Sequence, residues 1–193
     1  MKDTARKISA VILTGGHSSR MGTPKENLSW GEKTLLQHQA DKMKQLGIKD
    51  IIISGVPAQI NGVRFTEDIY PDKGPLGGIH AGLLAAETGV CLVMSVDTPL
   101  VPLSALEALI ETHERTDSRI TVLSHGDRIE PTIAVYDAEL ADMCARILLS
   151  ENTSVRRLLN TAGYSKHEFT GDERLLCDCN TPAEYELARS LKE

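Results

Sequence analysis

A glycine-rich loop with two basic residues directly follows the first strand that the sequence predicts. Residues 8–13 are largely apolar and β-branched, and the chain reads LTGGHSSRMGTPK from Leu13 to Lys25. Glycine permits the positive φ angles of a tight turn, and the N–H groups that such a turn frees can converge on an anion. Arg20 and Lys25 add two positive charges from the same loop. At the carboxyl end of a first strand, this pattern predicts a site for the phosphates of a nucleotide.

The loop differs in spacing from the two common phosphate-binding loops. Lys25 does not directly follow a glycine, as the lysine of a P-loop does, and no GxGxxG run is present. The glycines are instead Gly15, Gly16 and Gly22. The alternative interpretation is an ordinary glycine turn with two solvated basic side chains. If the loop does bind phosphate, it belongs to another class of phosphate loop.

Strand and helix patterns alternate along the chain, which predicts an α/β fold with a mainly parallel sheet. Ser104–Glu107 has the pattern of a capping box, and Asp137 is the expected cap of the helix that follows it. No linker, repeat or low-complexity run divides the chain, so residues 1–193 are expected to form one domain. The expected strands cover residues 8–13, 50–54, 90–96, 119–123 and 131–136, and the expected helices cover 34–46, 75–87, 104–115 and 138–149, with two more beginning near 154 and at 181.

Composition excludes several classes of partner. The formal net charge is −6, and the one Trp, four Tyr and two Phe form no strip of alternating aromatic and basic residues, so a nucleic-acid surface is not expected. Residues 1–7 are polar, so no signal peptide is expected, and no run approaches the roughly 18 apolar residues of a membrane span. With four cysteines and only one close pair, reduced thiols are the default. We expect a cytoplasmic protein that contacts neither nucleic acid nor membrane.

An aspartate follows the strand predicted at residues 90–96, at the sheet edge where open α/β sheets bind ligands. Asp97 precedes Thr98-Pro99, and the alternative interpretation is a turn aspartate that binds nothing. An acidic protein that binds a polyphosphate needs a local positive pocket and usually a divalent cation. A carboxylate at this place can hold Mg²⁺, which takes oxygen ligands and usually keeps waters and phosphate oxygens. Mn²⁺ is the alternative ion.

The segment from Leu13 to Lys25 resembles the signature LxGGxSxRMGxxK of nucleotidyltransferases with a glycosyltransferase-A-like fold. Within that group the chain is most similar to the molybdenum cofactor guanylyltransferases, with Thr14 in the place of the usual alanine. The Asp97-Thr98-Pro99 run and the stretch from Asp68 to Gly78 resemble further motifs of the same family. The resemblance implies a three-layer, Rossmann-like nucleotidyltransferase fold with a mainly parallel, mixed central sheet.

The resemblance also implies roles for individual residues. Arg20, Lys25 and Asp97 would be catalytic, and Asp97 would carry the metal. Guanine-using members have glycine where Gly15 stands, and cytosine-using relatives tend to have alanine, which indicates GTP as the nucleotide. The expected nucleotide-binding residues are Leu13, Gly15, Gly16, Lys25, Ser54, Asp68, Gly74, Gly78 and Asp97.

The acceptor side of the site resembles the family less closely. Glu130 replaces the usual histidine before Pro131-Thr132, and Asp178 replaces the first asparagine of an NxNTP motif, where it could add a charge that attracts a metal. The expected acceptor-binding residues are Arg128, Arg156 and Asn180, each with a surface or helix-capping role as the alternative.

The activity that the resemblance implies is transfer of GMP from GTP to the terminal phosphate of molybdopterin, with release of pyrophosphate. Contact with other proteins of cofactor biosynthesis would be transient. Three alternatives stay open: cytidylyl transfer to the pterin, nucleotidyl transfer to another phosphate such as a sugar phosphate, and a GTP-binding module without catalysis. The presence of Arg20, Lys25 and Asp97 together argues against the last of these.

Overall fold

The first predicted strand lies inside a seven-stranded sheet. The structure is a computed structural model, and it describes residues 7–15 and 24–192. Its strands are β1 (Ser9–Leu13), β2 (Ser29–Trp30), β3 (Lys33–Thr34), β4 (Asp50–Ser54), β5 (Arg64–Thr66), β6 (Val90–Ser95), β7 (Ile120–His125), β8 (Arg128–Asp137) and β9 (Ser165–Glu168). Its α-helices are α1 (Leu35–Gln45), α2 (Pro75–Ala85), α3 (Leu103–Glu114), α4 (Ala141–Leu148), α5 (Val155–Ala162) and α6 (Pro182–Lys192).

The large sheet is mixed but mainly parallel, as expected. Its strand order is β5-β4-β1-β6-β8-β7-β9, and β2 and β3 form a separate two-stranded hairpin. Four of the six neighbouring pairs are parallel, and β8 runs antiparallel to both β6 and β7. The carboxyl ends of β5, β4, β1, β6, β7 and β9 therefore share one edge, where β8 begins at Arg128.

Helices cover both faces of the sheet and give the expected three layers. All five residues of β1 are buried, and Ala10 and Ile12 face one apolar cluster while Val11 and Leu13 face the other. This alternation follows from the two-residue period of a strand. The first cluster is completed by α1, α3 and α6, and the second by α2, α4 and α5.

Two helix starts differ from the expected ones. Helix α3 begins at Leu103, because the N–H groups of Ala105 and Leu106 already donate to the carbonyl of Pro102, at 3.1 and 3.3 Å. Ser104 therefore lies inside the first turn and forms no capping box, so that prediction is wrong. Asp137 likewise makes no side-chain cap, since its Oδ1 lies 3.2 Å from His113 Nε2 and a 3₁₀ turn at Ala138–Leu140 precedes α4.

Helix α2 ends at Ala85, two residues before its predicted end, whereas both ends of α1 and the start of α5 lie within one residue of the prediction. Thr34 caps α1 in a capping box with Gln37, and Ser154 caps α5 by accepting from Arg157 N. Gly47 follows α1 with φ +77°, a conformation that favours glycine. Nowhere in residues 7–15 and 24–192 is a helix both long and apolar enough to cross a membrane.

Candidate functional site

The strands β1, β4 and β6 end side by side and define the floor of the site. Leu13 pairs with Ser54 on one side and with Ser95 on the other. The pairing continues one step past each strand, because Thr14 N donates to Ser54 O at 2.8 Å and Val96 N to Leu13 O at 3.0 Å. The loops that follow these strands consequently emerge together, next to Gly15, Ser54 and Asp97, which the sequence predicted to bind ligand.

Three predicted residues from distant parts of the chain meet at this edge. Lys25 Nζ lies 2.7 Å from Asp97 Oδ2 and also donates to Asn180 Oδ1. The side chains of Lys25 and Asp97 are only 16% and 15% exposed. Asp97 is held further, because its Oδ1 accepts from the Ser95 hydroxyl and its carbonyl accepts from Cys179 N at 2.8 Å. Lys25 thus connects Asp97, the predicted metal ligand, with Asn180, a predicted acceptor-binding residue.

The carboxyl groups of Asp178 and Glu130 lie near Asp97. Burial and the nearby charge of Asp97 raise the pKa of Asp178. Burial also raises the pKa of Glu130, and the charges of Asp178 and Asp97 add to that rise although the ion pair with Arg128 opposes it. The carboxyl groups at this edge therefore disfavour one another's ionised forms, as expected of a place that a cation would stabilise.

The oxygen atoms at this edge suit a hard divalent cation. Asp97 and Asp178 offer carboxylates and Asn180 offers an amide oxygen, the ligand types that Mg²⁺ and Mn²⁺ prefer. Burial raises the pKa of the neighbouring Cys179 to about 12, which keeps that thiol protonated and unsuited to binding a soft metal. In the described part of the chain no group of three or more His, Cys, Asp or Glu side chains could hold a metal, so waters and substrate phosphates would have to supply the other ligands.

The predicted nucleotide residues converge on the other side of Leu13. Ser54 Oγ donates to Asp68 Oδ1 at 2.9 Å. A Cβ atom on Gly78 would lie 3.0 Å from Leu13 Cδ2 and 3.3 Å from Ser54 Oγ, which is closer than ordinary contact. Gly78 therefore lets the first turns of α2 approach the ends of β1 and β4, bringing four predicted residues into one patch.

The helix start at Gly74 has a separate requirement for glycine. Gly74 is the N-cap of α2 with φ +64°, and Pro75 follows at the first helical position. A Cβ on Gly74 would meet nothing within 4 Å, so the positive φ and not crowding explains the glycine. The amino end of this 11-residue helix is thereby placed near the site, where helix N–H groups favour negative charge.

A contact between the β1 and β4 loops escaped the sequence analysis. The Thr14 hydroxyl donates to Ser54 O at 2.9 Å and accepts from Val56 N at 2.8 Å. Gly55 lies between these two partners with φ +113°, and a Cβ there would be 2.2 Å from the Thr14 carbonyl oxygen. The signals available in the sequence were the glycine directly after a strand and the unusual threonine in the signature.

Gly15 continues this contact. Its φ is +88°, and a Cβ would lie 3.8 Å from Val56 Cγ2, an ordinary contact distance. The backbone conformation therefore favours glycine here in its own right, and Val56 is the side chain that flanks it.

A small cleft opens beside Asp97 on the acceptor side. Its volume is about 150 Å³, and its lining includes the predicted residues Arg128 and Asn180. Asp178, Cys177, Glu184 and Leu187 complete the lining. Sequence reasoning did not single out Cys177, Glu184 or Leu187, because a cysteine and two residues of an amphipathic helix carry no ligand-binding pattern of their own.

One predicted residue is not brought into this arrangement, and two others cannot be placed in it. Arg156 is exposed in the first turn of α5, and α5 covers the face of the sheet opposite α6. Among the described residues, the Arg156 side chain makes no hydrogen bond or ion pair with the site. Gly16 and Arg20 lie outside the described residues.

The fold is that of a nucleotidyltransferase. Residues 10–168 match the sequence profile of the MobA-like NTP transferase domain. The chain belongs to this family.

Curated relatives support the same family over most of the chain. A probable molybdenum cofactor guanylyltransferase of Peptoclostridium acidaminophilum is 36% identical over 191 residues, which cover 91% of this chain and 86% of the relative. The molybdenum cofactor guanylyltransferase of Syntrophotalea carbinolica is 31% identical and covers 94% of this chain and 90% of its own.

Solved structures share the fold at lower sequence identity. Molybdopterin-guanine dinucleotide biosynthesis protein A from Archaeoglobus fulgidus superposes with a TM-score of 0.81 at 22% identity, covering 95% of this chain and 98% of its own. A 2-C-methyl-D-erythritol 4-phosphate cytidylyltransferase from Thermus thermophilus gives 0.69 at 20% identity, covering 96% and 98%. The three-layer nucleotidyltransferase fold expected from the sequence is therefore confirmed.

Proposed function

We propose that this protein transfers GMP from GTP to the terminal phosphate of molybdopterin, forming molybdopterin guanine dinucleotide and pyrophosphate. Curated relatives at 31–36% identity over most of the chain are named molybdenum cofactor guanylyltransferases. The observation that carries the proposal is the meeting of Lys25, Asp97 and Asn180 at the end of β6, beside the patch formed by Leu13, Ser54, Asp68 and Gly78.

The reaction is an in-line displacement at the α-phosphorus of GTP. An oxygen of the acceptor phosphate forms the new P–O bond, and the bond from the α-phosphorus to the oxygen that bridges it to the β-phosphorus breaks. Pyrophosphate leaves with the electron pair of that bond. The attacking oxygen is already ionised near neutral pH, so no residue has to remove a proton. The main barrier is the repulsion between two anions, about 4 kcal/mol for a pair of unit charges 4 Å apart at an effective dielectric of 20.

Lys25 is the described residue best placed to reduce this repulsion. Its ammonium already contacts Asp97 and Asn180, so it can turn to phosphate oxygens without leaving the edge. Positive groups aimed at the reacting phosphoryl stabilise the charge that develops there. Arg20, from the same loop of the sequence, is proposed to add a second positive charge.

Asp97 is proposed to hold Mg²⁺, with Asp178 and Asn180 as further oxygen donors. Nucleotidyltransferases are generally metal-dependent, and the hard oxygen donors fit this ion, with Mn²⁺ as the alternative. A bound divalent cation would draw charge from the phosphates and orient them. Ser95 and the N–H of Cys179 fix the orientation of Asp97 through the two hydrogen bonds described above.

Each side of this centre is assigned to one substrate. The patch of Leu13, Ser54, Asp68 and Gly78 would receive the nucleoside of GTP, because the glycine gives it room for close approach. Gly15, Gly16 and Gly74 are proposed to approach the same nucleotide through their backbones.

The cleft with Arg128 and Asn180 would receive the acceptor phosphate. Arg156 is proposed as a more distant contact for the acceptor. Its substitution by alanine is expected to raise the KM for molybdopterin more than the KM for GTP, and an equal rise in both would argue against this placement.

Pyrophosphate release tests the proposal directly. GTP, CTP, ATP and UTP are compared with Mg²⁺ or Mn²⁺, with and without molybdopterin. Release with GTP only, and only when the acceptor is present, is expected. Release with CTP would overturn the nucleotide assignment, and silence with all four from folded protein and active acceptor would favour a binding module.

A matched pair of variants connects the activity to the site. Asp97→Asn is expected to abolish release. Asp41→Asn is the control, because Asp41 is likewise paired with a lysine, Lys33, but on the exposed face of α1, and it is expected to leave release unchanged. Near-normal activity of Asp97→Asn would remove Asp97 from the proposed active site.

A further inference from the structure

Helix α1 holds the loop that carries Asp97 through three side-chain donors. Lys42 Nζ donates to the carbonyls of Pro99 and Val101, at 2.6 and 2.7 Å. One turn earlier, Gln39 Nε2 donates to Ser95 O at 3.2 Å, and His38 Nε2 lies 3.1 Å from Pro99 O. All three side chains bind main-chain carbonyls of the segment from Ser95 to Val101, which contains Asp97.

Lys42 is a buried donor that has no carboxylate partner among the described residues. Its side chain is 7% exposed, and across residues 7–15 and 24–192 it makes no ion pair. Lysine is almost never fully buried unless it is paired, since an ammonium that leaves water loses strong solvation. Burial accordingly lowers the pKa of Lys42 to about 7. A residue this costly to bury needs a compensating role.

The composition of the loop explains what Lys42 supplies. The loop from Asp97 to Pro102 contains two prolines, which have no N–H group and break the regular pairing of a turn. Buried carbonyls must still be hydrogen-bonded. Lys42 provides this for Pro99 and Val101 together, which a neutral aliphatic side chain of the same length could not do.

We propose that Lys42 is a positioning residue that fixes Asp97 by holding the Pro99 and Val101 carbonyls against α1. This inference rests on the proposed role of Asp97 in the reaction. Only Thr98 separates Asp97 from the first carbonyl that Lys42 holds. Without the Lys42 amino group, the buried Val101 carbonyl loses this donor and the Pro99 carbonyl keeps only His38, so the loop must move to hydrate them. The Asp97 carboxylate then leaves the position where it meets Lys25 and the Ser95 hydroxyl.

The test compares Lys42→Met with Lys44→Met. Methionine keeps the length of the lysine stem and removes the donor and the charge. Lys44 is the matched control, because it lies on the same helix and also donates to a main-chain carbonyl, but its side chain is 40% exposed and the carbonyl is that of Asn61, outside the Asp97 loop. The measurements are kcat and KM for GTP, the Kd for Mn²⁺ without nucleotide, the Tm, and hydrogen exchange of a peptide covering residues 95–103.

A positioning role predicts a specific split among these measurements. For Lys42→Met, kcat is expected to fall at least about tenfold and the Kd for Mn²⁺ to rise several-fold, since misplacement of a reacting group by about 1 Å can cost 100-fold in rate. The KM for GTP is expected to change less than about threefold, because the nucleoside patch lies on β1, β4 and α2. Exchange in residues 95–103 is expected to accelerate while exchange in β4 does not. Lys44→Met is expected to match the parent protein in all of these.

Several results would overturn the inference. Parent-like kcat, Mn²⁺ binding and loop exchange in Lys42→Met would show that the lysine has no positioning role. A fall in kcat accompanied by an equal rise in KM and a lowered Tm would indicate general destabilisation instead. Should Lys42→Met not fold, Lys42→Gln retains one donor group and is expected to show the same split at smaller size. If the parent protein releases no pyrophosphate, the proposed function fails, but loop exchange still tests whether Lys42 holds the loop.

Discussion

Replacing Lys25 by methionine is expected to tighten the binding of a divalent cation while it slows turnover. The Lys25 ammonium lies 2.7 Å from Asp97 Oδ2, so it occupies the carboxylate that the proposed function assigns to the metal. Its charge also stabilises the ionised form of Asp178. Removing the lysine leaves both carboxylates without this counter-ion, and an added cation then has no competitor at Asp97.

The size of the effect follows from the charges. Two unit charges 4 Å apart, a typical distance for two cations that share one carboxylate, interact by about 1 kcal/mol in water and about 4 kcal/mol at an effective dielectric of 20. The low exposure of Lys25 and Asp97, 16% and 15%, places the site between these limits. A divalent cation doubles the repulsion, so even the value for water gives about 2 kcal/mol, or about 30-fold tighter binding.

The assay is a titration with Mn²⁺ followed by electron paramagnetic resonance, in the absence of nucleotide. Lys25→Met is compared with Lys33→Met, whose lysine is paired with Asp41 on the protein surface, and with Asp97→Asn. Tighter binding is expected only for Lys25→Met, parent-like binding for Lys33→Met, and loss of binding for Asp97→Asn. Turnover of Lys25→Met is expected to fall about 100- to 1000-fold. Unchanged or weaker Mn²⁺ binding in a folded Lys25→Met protein would refute the reasoning.

Three further predictions concern the loops and the core. Thr14→Val removes the hydrogen bonds from the Thr14 hydroxyl to Ser54 O and Val56 N, and it is expected to raise the KM for GTP. Thr14→Ser keeps the hydroxyl and should restore the KM, whereas a parent-like KM in Thr14→Val would contradict a role for these bonds. Gly82→Ala would place a Cβ 2.4 Å from Val11 Cγ1 in the core. It is expected to lower the free energy of unfolding, measured by urea denaturation, by about 1–3 kcal/mol and to leave the KM for GTP unchanged. An unchanged urea midpoint would contradict this prediction. Lys42 has a pKa of about 7 in the folded protein and an ordinary value of 10.5. Between these two pH values, Lys42 is therefore more fully protonated in the unfolded state than in the folded state. The free energy of unfolding should therefore increase by up to about 1.4 kcal/mol per pH unit as the pH rises from about 7 toward 10.5. Urea titrations at several pH values should show that Lys42→Met lacks this increase.

Local patterns were sufficient to predict most of the sheet. The strand predicted at residues 50–54 matches β4, and the one at 90–96 ends one residue beyond β6, because buried strands in a parallel sheet form continuous apolar runs. The short β5 and β9 were not predicted. Their residues are half-buried or exposed, and they pair only along one edge, so their sequences carry little apolar signal.

Helix boundaries show where local chemistry competes with tertiary contacts. Thr34 and Ser154 cap the helices that the sequence predicted to begin at or near these residues. Asp137 has the same capping chemistry, but its carboxylate contacts His113 of α3 instead. A cap is therefore decided by the neighbours that the fold supplies, as well as by the residue type.

The sequence by itself determined the family and the class of fold, and it marked the loops that the proposed function assigns to ligand. Each of these depends on a short continuous pattern: glycines and cations after a strand, or an aspartate at the end of another. The proposed roles of these residues and the single domain over residues 1–193 stay predictions from that pattern.

Only the tertiary structure decided how the site is held together. Lys25 meets Asn180 across 155 positions of sequence, Thr14 binds the loop after β4, and Lys42 holds the loop of Asp97 from α1. None of these contacts has a local pattern, because each partner is a main-chain group or a side chain brought near by the order of the strands. The physical reason is that a buried polar group must find a hydrogen-bond partner, and which partner lies within reach is fixed only when the sheet and its helices are packed.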